Sequence, residues 1–314
     1  MKYLFTIALL FNIGALSAQL TYETLFVDYD SAVQYKNLRI IPVRAKANGG
    51  GGAGRNLLEG VPDVISLNEA LSQGLATVSE RGTASTENVH WLRIHNNSEK
   101  SILFSSGEIV AGGRQDRMMT RDTILVPNHR DQYVPVMCVE EGRWSEKEKK
   151  LSYGNFANSH LRKVLDSTHN QVLIWKEIDR ELEEGAFKNN SLAYLARNLD
   201  KKHILISDEY FRFFRDRFKN IDTTLLGFVC ISGDRVIGTD IYAGRNLFYE
   251  QLEPLLRGYV DESIVYGSTP ALPQKDIRQY MDKELTDEKT QDEFVKKNGK
   301  IFRQFGKVIH INTF

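Results

Sequence analysis

Cysteine is nearly missing from this chain: there are two in 314 residues, Cys138 and Cys230. So few exclude a disulfide-stapled scaffold and any Cys-x-x-Cys metal or redox motif. Both lie in apolar contexts, VPVMCVE and LGFVCIS, that read as buried strands. A single bridge between them, tying the two halves of the chain together, and two unbridged buried thiols are both open readings. There is no His-Glu-x-x-His, and His129, His160, His169 and His203 are scattered without ligand spacing, so no metal centre is expected. Surplus charge is absent as well, with 41 Lys and Arg against 41 Asp and Glu. That excludes the clustered basic footprint of a nucleic-acid binder. The run NGGGGAG, residues 48–54, lacks the Lys-Ser or Lys-Thr of a phosphate-binding loop and reads as a flexible surface loop.

Long apolar runs are missing except at the start. In MKYLFTIALLFNIGALSA, Lys2 precedes an apolar stretch from Tyr3 to Ile13, and the small residues Ser17 and Ala18 follow. This is the layout of a secretory signal, too short for a comfortable membrane span, with cleavage expected after Ala18. No cysteine near that point offers a lipid anchor. The expectation is a secreted or periplasmic protein without stable membrane insertion. Residues 19–314 read as a single domain of class α+β, with a strand-rich half 19–147 and a helix-rich half 148–314 that share a core.

What is present begins with two short strands within 22–47. A helix follows: Ser66 caps it, Glu69 completes the capping box, and Gly74 closes it in a left-handed conformation. Antiparallel strands are predicted over 76–80, 89–96, 102–104, 108–110, 121–126 and 133–139. The charged run Glu146 to Lys150 reads as a solvated helix end or loop. Helices are predicted over 158–168, 170–184, 190–199, 208–220, 246–260, kinked or broken at Pro254, and 275–282. The aromatics Tyr210, Phe211, Phe213, Phe214 and Phe218 fall at helical spacing, as packing residues do. Hairpins are expected at 225–241 around Ser232-Gly233-Asp234 and at 300–311.

The chemistry concentrates between Gly107 and Trp144. Two glycine-bracketed polar clusters, Gly112-Gly113-Arg114-Gln115-Asp116-Arg117 and Glu140-Glu141-Gly142-Arg143-Trp144, flank apolar strands. Pairing of those strands brings both to one end of a sheet. Arg114, Arg117 and Arg143 can grip phosphate or carboxylate, and Glu108 or Glu141 can orient them or move protons. Gln115 can read an amide or hydroxyl and Trp144 can stack on a ring, with Gly113 allowing close approach. A polar, anionic small molecule suits that set. The same residues also suit an internal salt-bridge network with no ligand, and an enzyme with Glu108 or Glu141 as acid or base. Cys138 is a candidate nucleophile only if Arg143 and His129 or His160 supply a cationic, basic surrounding; its apolar flanks favour a buried structural thiol.

The segments GGRQDR, TILVPN, VPVMCVEEGRW and GFVCISGDRVIGTDIY resemble the ARG and rhodanese-phosphatase-superfamily-associated protein domain family from about Leu20 to the C-terminus. The matching residues are Gly113, Arg114, Gln115, Arg117, Cys138, Glu141, Arg143 and Trp144. Asp116 stands where the family pattern carries asparagine. The resemblance implies nucleotide- or ADP-ribose-linked chemistry with no assigned reaction and no known cofactor. From this follow a leading expectation and two rivals: a secreted or periplasmic domain binding a phosphorylated or nucleotide-like molecule at the Arg/Glu/Trp site, an enzyme at that site, or a structural or protein-interaction module.

Overall fold

A computed structural model describes residues 20–46, 64–80, 89–143, 150–187, 192–218, 222–304 and 306–314. The signal segment, the glycine loop, Trp144 and all but the last residue of the charged run lie outside them. The fold is α+β, with three sheets among the described residues.

A seven-stranded antiparallel sheet draws on both ends of the chain. Its order is 25–27, 38–45, 225–232, 235–242, 307–313 and 299–304, with 33–35 pairing at the side of 38–45. The central strand Leu225–Ser232 is buried along its whole length, which explains its unbroken apolar run. Helices Lys201–Arg217, Arg245–Val265, Gln274–Leu285 and Glu288–Asn298 supply side chains that pack with this sheet in the largest core. Leu25, Ile40, Phe214, Phe228, Phe248 and Ile311 are fully buried there.

The second sheet runs 151–156, 108–112, 117–119, 129–138, 91–96 and 76–80, all antiparallel. It curls: Glu80, on one edge strand, and Leu151, on the other, both lie against Gly113. Val78, Leu92, Ile94, Val110, Val136 and Leu151 fill one side. Ile109 and Met118 face the other, against Leu161, Ile174 and Ile178 of helices Ser159–Thr168 and Gln171–Glu184. This alternation is the strand period expressed as two cores. A third sheet, 123–125, 101–104 and 64–66, carries the one parallel pairing among the described strands.

Several elements differ from expectation for local reasons. The helix expected from Asp208 begins at Lys201, because Asp200 caps it by accepting from the His203 N–H at 2.8 Å. Residues 151–156 form a strand, held by the partner 108–112 that a local pattern cannot reveal. Strand Arg117–Met119 is short and hidden in the polar cluster, while helix Glu288–Asn298, capped by Asp287, is too charged to show a strong stripe. The 190–199 segment is a 3-10 turn over Tyr194–Leu199. Pro254 lies inside an uninterrupted helix, Arg245–Val265, buried on most sides and packed between sheets and helices. Capping by Ser66 and the left-handed Gly74 (φ +68) occur as the sequence indicates. Both cysteines are buried thiols, with no disulfide between them.

Candidate functional site

Strand pairing assembles the two polar clusters. Arg117 lies opposite Val110 on one side and Cys138 on the other, so the chain entering at Gly112 and the chain leaving at Glu140 meet at one sheet end. Gly112 and Gly113 take φ values of +107 and +56, which L side chains rarely adopt. A Cβ on Gly113 would stand 2.8 Å from Glu80 Oε1. Its absence lets that oxygen accept the Arg114 backbone N–H at 2.6 Å.

The side chains close on each other. Glu80, 1% exposed, lies 3.5 Å from Arg114 Nε and 3.7 Å from Arg117 Nη2. Gln115 accepts from Arg117 Nη1 at 3.1 Å and donates to the Glu140 carbonyl at 2.9 Å. Asp116 Oδ1 accepts from the Gly112 N–H at 2.8 Å and from Arg143 Nη2 at 3.1 Å. Arg143 also reaches Glu140 Oε2 at 2.6 Å and the carbonyls of Gly112 and Gly113. Arg114, Arg117 and Arg143 thus meet Glu80, Asp116 and Glu140, with charges balanced. Burial raises the Asp116 carboxyl, and Glu140 beside it adds to the rise; the hydrogen bond to Glu140 raises Arg143. Arg114 and Arg117 side chains are 5% and 0% exposed, whereas Arg143 is 32% exposed. Glu141 is half-buried beside this rim.

The other candidates stand apart. Glu108 begins the strand that Gly112 ends, about 13 Å away at the rise of a strand. It is fully buried and accepts from the Ser105 N–H (2.6 Å), Gln251 Nε2 (3.1 Å) and Tyr153 Oη (3.4 Å). Burial pushes its carboxyl up to about 8, against those hydrogen bonds, so it is a neutral acid at pH 7. Cys138 is 5% exposed, and its peptide group is held on both sides by the Gln171 amide at 2.8 and 2.6 Å. His129 lies at the opposite end of the Cys138 strand, about 30 Å along it, and His160 is engaged by Glu262 at 2.5 Å. His129 is thus far from the thiol, and the His160 ring is engaged with a carboxylate.

Sequence reading missed a second buried network where the sheets meet. Asp240 takes both Arg162 nitrogens, at 2.7 and 2.8 Å, the Tyr259 hydroxyl at 2.5 Å and His310 Nε2 at 2.9 Å. His310 Nδ1 is 2.7 Å from Asp122, which accepts from the Ser106 N–H. Lys300 pairs with Asp166 and donates to the Thr120 carbonyl. Burial pushes Asp240 and Asp122 up, but Arg162 and His310 outweigh it and hold both carboxyls low. Burial lowers His310, yet Asp122 and Asp240 raise it to about 9. The available signal was a charged residue on an otherwise buried strand, Asp240 in VIGTDIY and His310 in VIHIN. Among the described residues no group of His, Cys, Asp and Glu could hold a metal ion, and no helix is long and apolar enough to cross a membrane.

Compared with known families, residues 26–313 match the model of the ARG and Rhodanese-Phosphatase-superfamily-associated Protein domain. No curated protein and no solved structure matches the chain.

Proposed function

The chain belongs to the ARG and Rhodanese-Phosphatase-superfamily-associated Protein domain family, and from that premise we propose that it is a secreted or periplasmic structural or protein-interaction module whose arginine motif is an internal clasp. The observation that carries this reading is the charge-balanced closure of the motif: Glu80, Asp116 and Glu140 already occupy Arg114, Arg117 and Arg143. An incoming anion would have to displace a buried carboxylate, which costs several kcal/mol. The clasp instead joins the edge strand 76–80 to the turn at 112–117 and fixes the strand pairings on either side of Arg117. The separation of Glu108 from the cluster weighs against an enzyme that uses them together. The N-terminal 18 residues support export.

One observation favours a second reading. Arg143 keeps about a third of its side chain exposed, so a polar, anionic molecule, phosphorylated or nucleotide-like, could approach that rim beside Glu141. A thermal-shift screen of the mature chain and its Arg143→Ala variant against ADP-ribose, nucleotides and sugar phosphates separates the two. The clasp predicts no ligand-specific shift and a lower midpoint for the variant. A shift in the native chain that disappears in the variant would replace the clasp reading with the binding one, since a ligand at 100 times its Kd adds about 2.7 kcal/mol.

A further inference from the structure

Away from the clasp, the first turn of helix Ser159–Thr168 and the start of strand Arg235–Tyr242 border a cavity of about 400 Å³. His160, Lys163 and Arg235 line it, while Val236, Ile237 and Phe314, each more than nine-tenths buried, leave it little apolar surface. Glu262 is the one carboxylate side chain in that lining, and it is committed. Its Oε1 lies 2.5 Å from His160 Nδ1 and accepts from Arg235 Nη2 at 3.1 Å, and its Oε2 accepts from the His160 peptide N–H at 3.1 Å.

Those contacts set the imidazole. An oxygen that accepts from a guanidinium faces Nδ1 as an acceptor, so Nδ1 holds the proton and Nε2 of the neutral ring is a bare acceptor. The His160 side chain is 25% exposed, and Nε2 is open to solvent with no hydrogen bond among the described residues. Tyr266 lies against the ring, with centroids 4.4 Å apart, and leaves Nε2 to be approached along the ring plane. Lys163, exposed and one helical turn beyond His160, has no side-chain partner among the described residues. Arg235 is about half exposed and gives Glu262 one of its nitrogens. A bare acceptor beside two unspent cations calls for an occupant that is negatively charged and still carries a donor. Hydrogen phosphate keeps an O–H in mildly alkaline solution, whereas sulfate and the dianion of a phosphate ester have none.

We propose that this pocket binds free phosphate as the hydrogen-phosphate ion, its O–H donated to His160 Nε2 and its other oxygens accepting from Lys163 and Arg235. The site is independent of the clasp, and its failure would leave that reading untouched.

The test compares sodium phosphate, sodium sulfate and methyl phosphate by calorimetric titration of the full mature chain at about pH 8.5, where only the first ion carries a proton. The native protein should prefer phosphate to the other two by about tenfold, the worth of one well-made hydrogen bond. His160→Asn keeps an amide donor where Nδ1 reaches Glu262 but removes the Nε2 acceptor; folded by circular dichroism, it should lose the preference. Lys163→Glu, at an exposed position with no partner to lose, should weaken all three by about tenfold or more. Absent phosphate binding, or sulfate or methyl phosphate bound as tightly as phosphate by the native chain, overturns the proposal. So does a folded His160→Asn that keeps the preference, or undiminished binding by Lys163→Glu.

Discussion

Replacing Glu108 by glutamine should flatten the chain's stability profile above pH 6. The native carboxyl is raised from 4.5 to about 8 by burial. A group whose folded pKa exceeds its unfolded one contributes stability that is complete below the unfolded value and is lost as pH rises through the folded one. Between pH 6 and pH 9 the unfolded side chain stays ionised while the folded one gives up its proton. That interval corresponds to about 2 pKa units, or about 3 kcal/mol. The substituted amide has no proton to lose, and Gln251, whose Oε1 has no partner, can turn its own amide to accept from the new one. Glu250 and Glu284, raised to about 7, and His310, raised to about 9, titrate in the same window in both proteins. The difference between the two proteins therefore isolates Glu108. Urea unfolding at pH 6, 7, 8 and 9 should show the variant gaining on the native chain by about 3 kcal/mol across the series. A constant difference at all four pH values would refute the claim that Glu108 is buried as a neutral acid.

Asp240→Asn should destabilise by about 3–5 kcal/mol at neutral pH, because it leaves Arg162 buried without its carboxylate. Asp240 is held below the ordinary carboxylate range, so its contribution is present at neutral pH and lost as pH falls; the variant's acid limb, followed by circular dichroism, should be shallower. Gly113→Ala should cost about 2 kcal/mol or more, combining a left-handed backbone with a Cβ against Glu80. Gly74→Ala, at φ +68 with open space, should cost only about 1 kcal/mol in the same unfolding assay. Neither Cys138 nor Cys230 should react with a maleimide in the native protein, both should react in urea, and reduction should leave the intact mass unchanged.

Local chemistry is written into the sequence where a few neighbours decide the outcome. Ser66 with Glu69 marked a helix start, and Gly233 a hairpin. Tyr210, Phe211 and Phe214 were legible as core because helical spacing puts them on one stripe. Long-range pairing was not legible. Strand 151–156 exists through 108–112, and Glu80 joins Arg114 and Arg117 through a curl that brings distant strands together. Nothing local distinguishes Glu80 from any edge-strand glutamate. Likewise the Arg162–Asp240–His310 network draws its members from three separated segments. Spacing reveals which side chains share a face, whereas a buried ion pair depends on which faces meet.

The central claim is that the arginine motif holds the fold together. Its most direct test is an unfolding cycle on Glu80→Gln, Arg117→Gln and the double variant. Each single change should cost about 3–5 kcal/mol, since each strands a buried charge, and the double should cost less than their sum by about 0.5–3 kcal/mol. Single variants within about 0.5 kcal/mol of the native chain, the level of an ordinary surface change, would contradict it.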